Sequence, residues 1–73
     1  MSILWLKMKI NLNGEKKTFS DNINLVSLLS YLKIDPKKVA VEINLQIIPK
    51  SRFLKTKISE GDNIEIVHFI GGG

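Results

Sequence analysis

Only one stretch of this chain repeats with a helical period, and the apolar segments on either side of it alternate with a period of two. Leu25, Leu28, Leu29 and Leu32 stand at i, i+3, i+4 and i+7, which makes one apolar stripe of a helix about two to three turns long. A single striped helix must bury that stripe against something, and here the partner has to be a sheet. Asn24 is suited to cap its first turn, since its side-chain oxygen can accept a hydrogen bond from a free amide there. Asp35-Pro36 marks a point that helical backbone does not pass.

Before the helix, Met8, Ile10 and Leu12 alternate with Lys7, Lys9 and Asn11, as in a strand with one buried face. Asn13-Gly14 follows at once, a pair suited to a type I′ hairpin turn, so Glu15 to Phe19 is predicted to return beside the first strand. After Pro36, Val39, Val41 and Ile43 define the inward face of a third strand. Asn44-Leu45-Gln46 turns into Ile47-Ile48, and Pro49 confines that short strand to a sheet edge. Phe53 and Leu54 are expected to fold back together as a hydrophobic lid, and Gly61 to supply positive φ in the turn before the last strand.

In that last strand Ile64, Ile66 and His68 share one face, while Glu65, Val67 and Phe69 share the other. Ile64 and Ile66 are the inward pair. Val67 and Phe69 then lie outside, and with Ile70 they form a candidate partner-binding patch beside the tail. The predicted architecture is α+β: a mixed sheet with one main helix on one face and the first and last strands parallel at its centre. This is the β-grasp, or ubiquitin-like, arrangement. Residues 1–7 read as an N-terminal extension, 8–69 as the β-grasp domain and 70–73 as a flexible tail.

The tail is Ile70-Gly71-Gly72-Gly73. Three successive glycines lose much backbone entropy if ordered and bury no side chain in return, so core packing does not select them. They offer a chain of minimal cross-section that can approach another protein's active site, with the α-carboxylate of Gly73 as candidate reactive group. No helix follows whose N-terminus could hold a phosphate, so the glycines are not a phosphate cradle.

Composition narrows the alternatives. The chain has 73 residues, enough for one small domain, and no cysteine, so neither a disulfide framework nor a thiolate metal site is expected. His68 alone cannot make a zinc centre, and it is read as structural rather than catalytic. No paired carboxylates or Ser-His-Asp set is evident, so no catalytic residue, metal or bound cofactor is assigned. The net charge of +4 rests partly on the separate doublets Lys16-Lys17 and Lys37-Lys38, which read as solvated surface rather than a nucleic-acid stripe. Met1 to Leu6 lack the basic region and cleavage site of a targeting signal, and the apolar run is too short for a membrane span. A cytoplasmic location is the expectation.

Three blocks carry a resemblance to a known family: Met8 to Glu15, Ala40 to Pro49, and above all Asp62 to Gly73. Over Met8–Gly73 the chain resembles the ubiquitin-like sulfur carriers, most closely the ThiS family of thiamine thiazole biosynthesis. Small subunits of molybdopterin synthase share the fold and a Gly-Gly end, but usually with a proline-containing approach, where His68-Phe69-Ile70 stands here. Leu45 occupies a turn position that is glycine or polar in many relatives. The resemblance implies that an E1-like enzyme uses ATP to adenylate Gly73, that a persulfide donor converts it to a thiocarboxylate, and that thiazole synthase receives the sulfur. Gly71 and Gly72 would let the tail thread a narrow cleft. The chain is then a carried substrate of partner enzymes. A molybdopterin-type carrier and a ubiquitin-like protein modifier remain alternatives with the same tail chemistry.

Overall fold

The computed structural model describes residues 7–20 and 22–69. Five strands, β1 (Lys7–Leu12), β2 (Glu15–Ser20), β3 (Val39–Ile43), β4 (Gln46–Ile48) and β5 (Asn63–His68), form one sheet in the order β2-β1-β5-β3-β4. A seven-residue helix, α1 (Leu25–Tyr31), lies on one face. β1 and β5 pair in parallel at the centre and the other neighbours are antiparallel, which is the predicted mixed β-grasp sheet.

The hairpin of β1 and β2 turns at Asn13 and Gly14, both at positive φ (50° and 84°), as a type I′ turn requires. β1 starts at Lys7, which pairs with Ser20, so the strand reaches one residue further back than the expected Met8. The remainder of the expected N-terminal extension lies outside the described residues.

α1 begins where the capping residue predicts. Asn24 Oδ1 accepts the Ser27 backbone N–H at 2.7 Å, and its Nδ2 donates to the Leu54 carbonyl at 3.2 Å, so one side chain caps the helix and ties it to the segment after β4. The helix stops before Asp35-Pro36. Lys33 takes φ 61°, its N–H donates to the Ser30 carbonyl, and the Ile34 N–H donates to the Leu29 carbonyl. These two bonds close the last turn in the Schellman pattern, with a lysine where glycine is usual. Leu25, Leu28 and Leu29 are fully buried, whereas Leu32, at the cap itself, is half-buried.

The core lies between that stripe and the inner sheet face: Met8, Ile10 and Leu12 from β1, Val39, Val41 and Ile43 from β3, and Ile64 and Ile66 from β5. Phe53 and Ile58 close its side. The lid expected from Phe53 and Leu54 is only half realised. Residues Lys50–Lys55 form a 3₁₀ segment, and at three residues per turn neighbouring side chains diverge by about 120°. Phe53 is therefore buried at 3% exposure, while Leu54 stands 68% exposed.

Leu29→Ala should lower unfolding stability by about 2–5 kcal/mol, since it empties a site with no solvent contact; urea denaturation followed by circular dichroism measures it. Asn24→Ala should cost about 1 kcal/mol in the same assay, through the lost cap.

Candidate functional site

β5 leads directly into the glycine tail, so what holds β5 determines where that tail is rooted. Asparagine side chains brace both of its flanks. On the β1 side, Asn13 Oδ1 accepts the Ile66 N–H at 2.8 Å and its Nδ2 donates to the Ile66 carbonyl at 3.3 Å, which extends the ladder past the end of β1. Asn11 Nδ2 donates to Asn63 Oδ1 at 2.8 Å. On the β3 side, Asn44 Oδ1 accepts the Asn63 N–H at 2.9 Å, and its Nδ2 donates to Asp62 Oδ1 at 3.0 Å. The other carboxylate oxygen of Asp62 accepts the Ser59 N–H at 2.8 Å, so this buried acid is fully engaged in shaping the turn around Gly61 (φ 83°).

At the far end of β5 the strand pairing stops at His68, and the next residue is held differently. The Phe69 N–H donates to the Lys38 carbonyl at 2.9 Å. Lys50 Nζ sits 4.8 Å from the centre of the Phe69 ring and donates to the Val39 carbonyl at 3.0 Å. One ammonium thus bonds β3 and covers the aromatic ring, an arrangement favoured by the electron-rich ring face. The root of the tail is pinned on the β3 side.

The expected patch residues are placed unequally. Val67 and Phe69 are both exposed, at 59% and 53%, but Phe69 lies beneath Lys50 whereas Val67 faces an open depression on the outer sheet face. Ile70, Gly71, Gly72 and Gly73 lie outside the described residues. Val67 is opposite Ala40 in the β3–β5 register, and the depression is completed by Leu45 and Ile47, exposed at 90% and 75%. Sequence reasoning missed these two. A signal for Ile47 was present: a two-residue turn at Asn44-Leu45 puts Ile47 opposite Glu42, on the outer face.

Glu42 and Glu65 also line the depression and face each other directly across β3 and β5. The ion pair found among the described residues, Lys17–Glu15 at 3.4 Å, is on β2 and involves neither. His68 is exposed, and no group of three or more potential metal-ligating side chains occurs among the described residues. No described helix is long and apolar enough to cross a membrane. The arrangement is therefore a braced strand beside an apolar, locally acidic face.

The ThiS family model matches residues 9–73. The chain is 48% identical over 66 residues to a thiazole synthase of Paramagnetospirillum magneticum, covering 90% of this chain and 20% of that protein. A thiazole synthase of Magnetococcus marinus is 44% identical with the same coverage, so the chain spans about a fifth of the length of these two relatives. The sulfur carrier protein ThiS of Bacillus subtilis is 40% identical over 65 residues, covering 88% of this chain and 98% of the carrier. Among solved structures, the crystal structure of the thiamine biosynthesis protein ThiS from Geobacter metallireducens superposes with a TM-score of 0.80 at 33% identity, covering 90% of this chain and all of that one. By family match, near full-length relatives and a shared fold, this chain belongs to the ThiS family.

Proposed function

We propose that this chain is a sulfur carrier of thiamine biosynthesis whose cargo rides on the Gly73 carboxylate. The observation that carries the reading is the family match, which continues to Gly73, together with the near full-length likeness to a sulfur carrier protein. The absence of cysteine from the 73 residues adds to it, because a sulfur carried covalently has no side-chain thiol to occupy.

A carboxylate is ionised at neutral pH and resists nucleophiles. Activation therefore falls to a partner: an E1-like enzyme joins a carboxylate oxygen of Gly73 to the α-phosphorus of ATP and releases pyrophosphate. A persulfide sulfur then displaces AMP from the acyl carbon, and a thiol cleaves the S–S bond to leave the thiocarboxylate. Thiazole synthase receives that sulfur. Nothing in this sequence calls for a cofactor bound to the chain itself, and the use of ATP and persulfide sulfur fits the cytoplasm. Gly71 and Gly72 pass through the partner's cleft, while Val67, Phe69 and Ile70 contribute to docking.

Incubation with the activating enzyme, ATP and a persulfide donor should yield an intact mass in which one oxygen has been replaced by sulfur, localised to Gly73 by fragmentation. An unmodified end under conditions that load the Bacillus subtilis carrier would overturn the reading, and a thiol-stable conjugate to lysine would replace it with protein modification. Gly72→Trp should leave the unfolding midpoint unchanged and slow thiocarboxylate formation about a hundredfold, because a misplaced reacting group loses most of its orientational advantage.

A further inference from the structure

The longest apolar run in the chain is Ile3-Leu4-Trp5-Leu6, and it holds the only tryptophan. The family match begins at residue 9, so this run stands ahead of the shared domain and no step of sulfur carriage uses it. Four apolar side chains in a row are unfavourable in water unless something covers them. The structure offers a seat close to where the described chain starts. Lys7 pairs with Ser20, the last residue of β2, and Ser20 lines a groove between β2 and α1 whose other walls are Phe19, Ile23, Ser27 and Tyr31. None of the five is charged. The groove encloses about 180 Å³, room for one aromatic side chain. Tyr31, the only tyrosine, meets Phe19 edge-on with ring centroids 5.4 Å apart, yet it stays 74% exposed. A large aromatic surface is thus left uncovered beside an apolar floor.

We propose that the Ile3–Leu6 segment crosses the end of β2 and seats Trp5 in this groove, against Tyr31 and Phe19. The reach is sufficient: Trp5 stands two residues ahead of Lys7, and extended backbone spans about 3.3–3.6 Å per residue, or about 7 Å in all. Ser20, beside Lys7, is already part of the groove wall. Tethering also selects the occupant, because a segment joined this closely to its site has an effective concentration in the millimolar range, above that of a second copy. The groove offers no counter-charge to a nucleic acid or an acidic partner, whereas an indole needs none. The strap adds apolar contact to a domain with a small core. Because β1 and β5 run parallel, the start of β1 and the end of β5 lie at opposite ends of the sheet, so the strap leaves the surface around Phe69 open. The proposal is independent of the sulfur-carrier reading and stands or falls apart from it.

Proton NMR of the 73-residue chain, with thermal unfolding alongside, tests it. The Trp5 indole protons should give nuclear Overhauser cross-peaks to the rings of Tyr31 and Phe19, and these should persist on dilution. Trp5→Ser should unfold about 4–8 °C lower. Ser27→Glu places a longer, charged side chain on the groove wall, at a first-turn helix position where an acid is otherwise favourable. It should abolish the cross-peaks and lower the unfolding temperature, and it should add no further loss to the Trp5→Ser chain, since both remove one contact. Missing cross-peaks in the wild-type chain overturn the proposal. So do cross-peaks that fade on dilution, because the occupant would then be a second copy. A Ser27→Glu chain that keeps the cross-peaks, or a Trp5→Ser chain that unfolds at the wild-type temperature, overturns it as well.

Discussion

The parallel pairing of β1 with β5 is the contact on which the rest of the structure depends. It joins the start of the described chain to its end and places β5 between two neighbours, so that Ile64 and Ile66 are covered by the helix on one side and braced along both strand edges. Parallel strands need a long crossover, and α1 with its flanking turns provides it while burying its own leucine stripe. The regular ladder between β1 and β5 is short, with register pairs only at Asn11–Asn63 and Leu12–Ile64. Asn13 lengthens it by using a side-chain amide in place of the backbone that turns away at Gly14.

That bracing secures β5 along both edges in a domain of this size. A chain of 73 residues has little burial to spare, and a strand at a sheet edge would fray readily. β5 is central instead. Past its last ladder pair, Val39–His68, the Phe69 N–H bonds the Lys38 carbonyl, and the Lys50 side chain joins the Phe69 ring to the Val39 carbonyl. Burial alternates along these strands: apolar residues of β3 and β5 serve the core on one face, and their neighbours one position along form the outer face of the sheet.

Several elements were legible from local chemistry. Asn13-Gly14 specifies its hairpin because both residues accept positive φ, and Asn24 specifies the helix start because its side chain satisfies an amide that has no partner in the helix. The leucine period identified the buried stripe, and the alternation in Asn63 to His68 identified the inward pair. Leu54 was not legible, since adjacent apolar residues look alike in sequence and only the 3₁₀ twist parts them. Leu45 was noticed as unusual, but its left-handed backbone and its exposure depend on a turn that joins β3 to β4. The engagement of Phe69 by Lys50 crosses from one edge segment to the end of the central strand, beyond the reach of any local pattern.

By itself, then, the order of residues determined the strand faces, the helix stripe and the turn at each positive-φ pair it could satisfy. Those properties follow from neighbours a few positions apart, where backbone geometry imposes a fixed period. Tertiary structure alone decided that Glu42 faces Glu65, that Val67 lines one depression with Leu45 and Ile47, and that the Phe69 backbone is held to Lys38. Each of these depends on the register between strands distant in sequence. That register is set by simultaneous packing of the whole core, because a slip of one residue would turn every buried side chain toward water.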